Sequence, residues 1–441
     1  MSMEMPVTVP ASANAFQEIS GLLAVLRRRG VRLWSQNGEL RYQAPKGAVG
    51  LGELANLKAH KSEILQMLEQ AQQAELAEHV IGPQPRSGPA PLAYSQIAHW
   101  NEQRLGEKQG VRAVTALLRL QGRLRLDVFQ HCMTELVRRH EALRTRIRVD
   151  GGSLLQEVEA AQDFVPIVYD LRRLPGAERE TEVRSLIKKH REETIDVTRD
   201  PLFAVWLLRV TDEDQVLIVA MDHMISDGTS RDILFREFCL AYRQLSRGLP
   251  IDLAPVAVQL ADFALWQRHA EPIWRRRSGA YWESQLLASP PLWFPRDVGV
   301  SEPKASGMGC VHLKIDGSRL TQLRGWCRTN QTTLTMGVMA AYAGFVLRWC
   351  EAYEGIVQYE INGRFTPALE NTIGYFAFPL YLKVKLGDQD LFADLIKQMV
   401  DAYCRANEHQ DFAILKARTP QPALARGTLF NWTTHGPGTE A

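Results

Sequence analysis

A stretch that begins at Val216 constrains the fold of this chain more than any other. Val216–Met221 is an unbroken apolar run, which is typical of a strand buried on both faces of a sheet. Asp222 and His223 follow this run directly, and the pair Asp227-Gly228 then favours a turn. The pattern therefore predicts a histidine at the point where a rigid, buried strand ends.

A helix is predicted immediately after that turn. Thr229 and Ser230 are residue types that commonly cap helix N-termini. Beyond them, apolar residues recur at helical spacing: Leu234, Phe238, Ala241, Tyr242 and Leu245. His223 would then precede a helix N-terminus, on a rigid scaffold where the helix dipole favours negative charge. A single histidine near an aspartate is more often structural than catalytic, so its role depends on the rest of the chain.

Several stretches, taken in order, form a more specific pattern. They are Pro91–Trp100 with a Ser-Gln core, Arg138–Ile147 (RRHEALRTRI), His223-x-x-x-Asp227-Gly228, Gln259–Trp266 with an Asp-Phe-x-x-Trp core, Glu370–Phe376 ending in Ile-Gly-Tyr-Phe, and His409-Gln-Asp411. Each resembles a motif of the nonribosomal peptide synthetase condensation-domain family, and the order is the same. The joint match is far more specific than any single motif.

The resemblance implies an α/β (α+β) fold of two chloramphenicol-acetyltransferase-like lobes. These lobes form a V with the active site in the cleft between them, and we expect them over residues 92–270 and 271–441. In the second half, the residues themselves predict a strand at Val311–Ile315, helices at about 318–328 and Thr333–Trp349, and a buried strand at Gly355–Ile361. Family members continue beyond the position of Trp432, so we expect either that the chain is a fragment of a longer synthase or that the second lobe is truncated.

Composition excludes several classes of function. The 441 residues carry a formal net charge of only +2, which gives no electrostatic argument for nucleic acid binding. No apolar run reaches transmembrane length, so no membrane role is expected. The six cysteines contain no Cys-x-x-Cys pair, so neither a metal site nor a disulfide framework is indicated, and a reducing cytoplasm fits best.

The N-terminal region has the pattern of a small separate unit. Helical spacing over Ile19–Arg29, alternation on both sides of Asn37-Gly38, and a second amphipathic stretch at Leu51–Leu68 predict a helix, a β-hairpin and another helix. Residues 81–91, which contain four prolines and two glycines, are predicted to link this unit to the large domain.

Residues 16–70 resemble the tubulysin-type, β-hairpin N-terminal docking domains of peptide and hybrid peptide–polyketide assembly lines. The resemblance rests on residues 26–34 (LRRRGVRLW), Leu40-Arg-Tyr, Ala44-Pro-Lys-Gly and residues 57–65 (LKAHKSEIL). The region has eight Lys and Arg against five Glu, a balance of +3. This charge beside an exposed hairpin edge favours capture, by strand addition, of an acidic C-terminal segment of an upstream synthase. The cations expected to contribute are Arg27, Arg28, Arg29, Arg32, Arg41 and Lys46.

Condensation domains join a donor acyl thioester to an acceptor amine or hydroxyl, and carrier proteins hold both substrates on phosphopantetheine arms. The resemblance therefore implies donor and acceptor carrier proteins as partners and no cofactor bound directly. His223 matches the family's active-site histidine and is expected to be catalytic. Asp227 is expected to order the loop by pairing with Arg144, and Gly228 to satisfy backbone conformation and close approach.

Asp222 departs from the family pattern, which usually has a second histidine there. Strand alternation points residues 222 and 223 to opposite faces, so Asp222 is expected to face away from the reacting centre as a structural residue. Asp222, Asp227 and Ser230 also fit the Asp-x-x-x-x-Asp-x-x-Ser signature of heterocyclization domains, which is the minority interpretation. Two more hypotheses stay open, a free-standing acyltransferase that uses coenzyme A and an inactive scaffolding domain.

Overall fold

A computed structural model of the chain describes residues 19, 22–23, 25–26, 31–36, 39–43, 49–65, 81–104, 114–193, 195–286, 292–295, 311–330, 332–410 and 428–432. The chain divides into two units, Met1–Val80 and Ile81–Ala441.

The first unit contains the predicted hairpin. Strands β1 (Arg32–Gln36) and β2 (Glu39–Gln43) pair in antiparallel register, with Arg32 opposite Gln43. Helix α1 (Leu51–Ala59) follows, and residues 61–65 are helical as well. A small core contains Ile19, Leu26, Val31, Leu57 and Ile64. The predicted hairpin is confirmed, although its Asn37-Gly38 turn lies outside the described residues.

The main sheet of the second unit is built around the apolar strand of the opening pattern. Its strands are β4 (Val114–Gln121), β7 (Ile167–Asp170), β8 (Phe203–Arg209) and β9 (Asp214–Met221). Their order in the sheet is β4-β9-β8-β7, and β9 pairs antiparallel with both of its neighbours. Alternate residues of β9 enter two different cores, so the strand is buried on both faces as predicted.

The helices of this first lobe include α2 (Tyr94–Arg104), α3 (Leu126–Arg139), α4 (Gly176–Glu192) and α5 (Gly228–Ser246). Helices α3 and α5 are joined by a buried polar network as well as by apolar contacts. Glu237 of α5 accepts hydrogen bonds from Arg139 (2.9 Å) and lies 2.8 Å from His140 Nε2. A buried charge without a partner is strongly destabilising, so α3 and α5 must pack in an arrangement that keeps these groups in contact.

A second sheet of this lobe includes part of the segment predicted as a linker. Strands β3 (Ala90–Pro91), β6 (Ser153–Val158) and β5 (Thr145–Asp150) form the order β3-β6-β5. Ile81 is 5% exposed in the main core, and Arg86 forms ion pairs with Glu141 and Asp262. Residues 81–91 therefore lie against the large unit and do not hang free, and their function as a linker stays a prediction.

One long helix is shared by the cores of both lobes. Helix α6 (Leu260–Leu286) buries its first half, through Trp274, in the main core, whereas Trp282 and Leu286 belong to the core of the second lobe. The boundary predicted between residues 270 and 271 falls inside this helix. The exact limits of the lobes stay a prediction.

Over the residues that the structure describes, the second lobe has a three-stranded sheet made of β10 (Glu354–Ile361), β11 (Phe378–Lys385) and β12 (Thr428–Phe430), in the order β11-β10-β12. The helices of this lobe include α7 (Gly317–Thr329), α8 (Leu334–Trp349) and α9 (Phe392–Glu408). The predicted helices and the strand at 355–361 are confirmed, but most residues of that strand are only partly buried. The predicted strand at Val311–Ile315 is wrong: these residues are not in a sheet, and Val311 is 96% exposed.

Candidate functional site

The loop after β9 places His223 at the end of the main sheet. The strand ends at Met221, and the amide of Asp222 donates to the carbonyl of Leu202 at 2.9 Å, which anchors the loop to the start of β8. Asp222 and Ile225 then close a tight turn, with the Ile225 amide 3.0 Å from the Asp222 carbonyl. A buried strand and a closed turn together hold the backbone of His223.

The tautomer of His223 follows from one contact. Its Nδ1 lies 3.2 Å from the carbonyl oxygen of Ser226. A carbonyl only accepts hydrogen bonds, so Nδ1 carries the hydrogen and, in the neutral ring, Nε2 is the basic nitrogen. The ring is only partly buried, unlike its neighbours on both sides. This arrangement suits an imidazole that takes a proton at Nε2.

Asp222 is held away from solvent. Its side chain is fully buried, and its Oδ1 accepts from the Met224 amide at 2.7 Å. Among the residues that the structure describes, none hydrogen-bonds to its Oδ2. Burial raises the pKa of this carboxyl to about 6, and the hydrogen bond from Met224 opposes the rise only in part. Asp222 therefore supports the turn and stays buried, whereas His223 next to it is partly exposed.

Asp227 caps helix α5, which corrects the prediction that Thr229 and Ser230 would do so. Its backbone is extended, and its Oδ1 accepts from the Ser230 amide at 2.8 Å. The Ser230 hydroxyl lies 2.8 Å from the same oxygen. A carboxylate in this position satisfies helix amides that have no partner within the helix and complements the helix dipole.

Arg364 is the partner of Asp227, and the predicted pairing with Arg144 is wrong. The Arg364 guanidinium makes two bonds, from Nη1 to Oδ2 at 2.8 Å and from Nη2 to Oδ1 at 3.0 Å. Both side chains are at most 3% exposed. The amides of Phe376 and Ala377 also donate to Oδ2, at 3.1 and 3.3 Å. Asp227 thus belongs to the first lobe but takes most of its donors from the second.

Arg144 lies elsewhere, although it is in the expected Leu-Arg-Thr motif. Its guanidinium donates to the carbonyl of Glu159 and lies 3.9 Å from Glu141. It also lines a cavity of about 340 Å³ together with Arg86 and Gln156. The Glu159 contact ties the motif to the end of the β5–β6 hairpin, so Arg144 has a structural environment that is separate from Asp227.

Gly228 does not have the constraint that was expected of it. Its φ is not positive, and a Cβ built on it would meet no described atom within 4 Å. The glycine that this site requires is Gly363, next to Arg364. Its φ is +63°, and a Cβ there would lie 2.0 Å from the carbonyl oxygen of Phe376. Only glycine allows the turn that directs Arg364 toward Asp227.

Two aromatic side chains that the sequence had not singled out surround His223. The ring of His99, from α2, lies 5.4 Å from the His223 ring between centroids, and the ring of Tyr375 lies at the same distance. His99 and Tyr375 also contact each other at 5.6 Å. Both belong to stretches whose motif was recognised, Pro91–Trp100 and Glu370–Phe376. The signal was present, but His99 lies outside the Ser-Gln core, and Tyr375 is the variable position of the Ile-Gly-x-Phe motif.

The structure places the predicted docking cations only in part. Arg32 and Arg41 lie on β1 and β2, and their side chains are not among those described. Arg27, Arg28, Arg29 and Lys46 lie outside the described residues.

Neither a metal-ligand cluster nor a membrane-spanning helix is present in the part of the chain that the structure describes. There, no group of three or more His, Cys, Asp or Glu side chains is arranged to hold a metal ion. Over the same residues, no helix has the length and apolar character needed to cross a membrane.

Two family models match the chain. The model of the condensation domain matches residues 87–431, and the model of the TubC N-terminal docking domain matches residues 19–70. Together they cover most of the chain and follow the division between its two units.

Known proteins give the same result. A nonribosomal peptide synthetase, kk1B, of Curvularia clavata is 31% identical over 334 residues, 75% of this chain but only 2% of that protein. The cyclosporin synthetase simA of Tolypocladium inflatum is 29% identical over 370 residues, 83% of this chain and 2% of its own length. The chain therefore spans a small fraction of the length of these curated relatives.

Among solved structures, the EpoB cyclization-docking bidomain of Sorangium cellulosum aligns with a TM-score of 0.63 and 23% identity. That alignment covers 90% of this chain and 78% of the other. At this identity the likeness is evidence of the fold, and it agrees with the predicted chloramphenicol-acetyltransferase-like architecture.

Proposed function

The chain belongs to the condensation-domain family of nonribosomal peptide synthetases, with an N-terminal docking domain of the TubC type, and from this premise we propose the reaction and the roles of its residues. The proposed reaction is acyl transfer from a carrier-bound thioester to an acceptor amine or hydroxyl. The bond from nitrogen (or oxygen) to the carbonyl carbon forms, the carbon–sulfur bond breaks, and the phosphopantetheine thiol leaves. Both substrates arrive on carrier proteins, and no cofactor bound to this chain takes part.

His223 carries this proposal. Because Nδ1–H donates to the Ser226 carbonyl, Nε2 is the basic nitrogen of the neutral ring, and we assign to it the orientation of the acceptor amine and the uptake of its proton as the new bond forms. The ring is partly exposed, at the end of a buried strand, so that a substrate can reach it while the backbone stays fixed. Asp227, Arg364 and Ser230 hold the loop in place and do not exchange protons with the substrate.

The test is transfer between loaded carrier proteins, with the product identified by mass. His223→Ala is expected to reduce turnover by about two to four orders of magnitude while the melting temperature changes little. Turnover near that of the wild type would assign His223 a structural role only. An exposed histidine of the same chain, His131, provides the control, since His131→Ala should leave turnover unchanged.

Heterocyclization is the second candidate, and one observation favours it. Asp222, Asp227 and Ser230 match the signature of the domains that close an azoline ring, and Asp227 contacts Ser230 directly. With a Cys, Ser or Thr acceptor, cyclization gives a product lighter by one water. Linear product from the wild type supports condensation, and the lighter product would replace that proposal with cyclization.

The docking unit is proposed to recruit the upstream synthase through its acidic C-terminal segment. An added strand beside the β1–β2 hairpin would supply backbone hydrogen bonds, while the Arg and Lys residues of this unit select the partner by charge. Reversal of Arg28 and Arg32 to Glu is expected to weaken transfer from the cognate upstream carrier and to spare transfer from a small-molecule thioester. Equal loss with both donors would exclude this docking role. The reducing cytoplasmic location stays a prediction.

A further inference from the structure

The ring of the candidate catalytic histidine contacts two other rings, and the three come from separate parts of the second unit. His99 comes from helix α2, His223 from the loop after β9, and Tyr375 from the segment that precedes β11. His99 lies nearly edge-on to His223, at an interplanar angle of 67°, and Tyr375 is tilted against His223 by 45°. The two partner rings are themselves at 75° to each other. His223 is therefore in contact with rings from both lobes.

Helix α2 is anchored on both of the segments that supply the other two rings. The Ser95 hydroxyl donates to the Tyr375 carbonyl at 2.5 Å, and the Gln96 side-chain amide donates to the Met224 carbonyl at 2.6 Å. His99 lies four residues after Ser95 and therefore on the same helix face. The bonds of Ser95 and Gln96 thus set the distance between the His99 ring and the other two rings.

The hydrogen bond to Ser226 alone does not fix the His223 ring. Rotation about the bond between Cβ and the ring has a broad, twofold preference, and a half-turn would carry Nδ1 away from the Ser226 carbonyl. Ring contacts on His223 oppose such a rotation, since edge-to-face contacts between aromatic rings are directional. His99 is 5% exposed and has little room to move, so its ring can restrict rotation of the His223 ring.

We propose that His99 and Tyr375 are positioning residues that hold the His223 ring in the orientation with Nδ1 on Ser226 and Nε2 toward the substrate. They act through packing of their rings, and their own polar atoms take no part in the reaction. The kinetic part of this inference rests on the proposed function of His223. The structural part, the orientation of the ring, does not.

The kinetic test compares ring-retaining with ring-deleting variants. Tyr375→Ala and His99→Ala are expected to reduce kcat by roughly 10- to 100-fold, as small misplacements of a reacting group do, with little change in KM. Tyr375→Phe and His99→Phe keep a ring and should retain kcat within about threefold of the wild type on the same argument. Tyr353→Ala, at a tyrosine that is 67% exposed, is the matched control. Phe variants as slow as the Ala variants would overturn the proposal, because the polar atoms would then be required.

The structural test needs no turnover. Nitrogen NMR of the histidine-labelled protein, with the His223 signals assigned by their loss in His223→Gln, distinguishes a hydrogen on Nδ1 from one on Nε2. The wild type and both Phe variants should show the Nδ1–H form, and both Ala variants a mixture of tautomers. An unchanged spectrum in the Ala variants would refute the positioning role. If His223→Ala proved active while the Ala variants still mixed tautomers, only the proposed function would fail.

Discussion

Removal of Arg364 should destabilise the large unit strongly, and more than removal of Arg144. Arg364→Ala leaves the Asp227 carboxylate, 3% exposed, without the cation that pairs with it. Breaking a buried ion pair by removing one partner costs about 3–5 kcal/mol. The amides of Ser230, Phe376 and Ala377 still donate to the carboxylate, so we expect a loss of about 3 kcal/mol, at the lower end of that range.

This loss can be measured as a melting temperature. A unit of about 360 residues has an unfolding entropy near 0.8 kcal/mol/K, so about 3 kcal/mol lowers the melting temperature by roughly 4 °C. Arg144→Ala is the matched control, since Arg144 was the partner expected from sequence. Its contacts are with Glu159 and, at 3.9 Å, with Glu141, so a loss of about 1 kcal/mol, or roughly 1 °C, is expected.

A double-mutant cycle then separates the two arginines. Asp227→Ala combined with Arg364→Ala should be far less than additive, with a coupling of about 2 kcal/mol or more. Asp227→Ala combined with Arg144→Ala should be additive within about 0.5 kcal/mol. Equal losses for the two arginines, together with additivity in both cycles, would show that the buried pair contributes nothing and would refute the reasoning.

Two further predictions concern Asp222 and the glycines of the site. Burial raises the pKa of Asp222 to about 6, so the unfolded chain binds fewer protons than the folded one between pH 4 and 6, and stability falls as pH rises through that window. Asp222→Asn lacks this titrating group, so its stability should rise relative to that of the wild type as the pH increases from 4.5 to 7. Urea unfolding midpoints of the two proteins measure this, and a difference in midpoint that does not change with pH would contradict it. Gly363→Ala should lower the melting temperature by several degrees, because its Cβ would lie 2.0 Å from the carbonyl oxygen of Phe376. Gly228→Ala is the control: a Cβ there meets open space, so the melting temperature should change by no more than about 1 °C. Equal effects of the two substitutions would argue against the steric reason.

Sequence patterns predicted the parts of the fold that local chemistry determines. An apolar run with no polar interruption predicted β9, and the two cores that its alternate residues enter explain why that run has no polar face. Asn37-Gly38 predicted the hairpin for an equally local reason, its preference for a tight turn. By contrast, alternation at Val311–Ile315 predicted a strand wrongly, since alternation alone does not provide a sheet edge with which to pair.

The partner of Asp227 could not be predicted in this way, because 137 residues separate it from Arg364. Nothing local to Asp227 distinguishes one arginine from another, and a motif that contained Arg144 suggested the wrong one. One signal was nevertheless present in the sequence. Arg364 follows Asn362-Gly363 at the end of β10, as His223 follows Asp222 at the end of β9, so both halves place a polar residue just after a strand ends.

The position of Arg364 also bears on how the lobes depend on each other. Arg364 donates to Asp227 and to the Thr372 carbonyl, at 3.0 Å, and its guanidinium lies 4.6 Å from the Phe376 ring centroid. The same segment supplies the Phe376 amide to Asp227 and the Tyr375 ring to His223. Any movement of the second lobe that carries this segment away must therefore remove the Arg364 and Phe376 donors from Asp227 and the Tyr375 ring from His223 together. The loop that presents His223 is ordered by residues of both lobes, so neither lobe by itself contains the complete site.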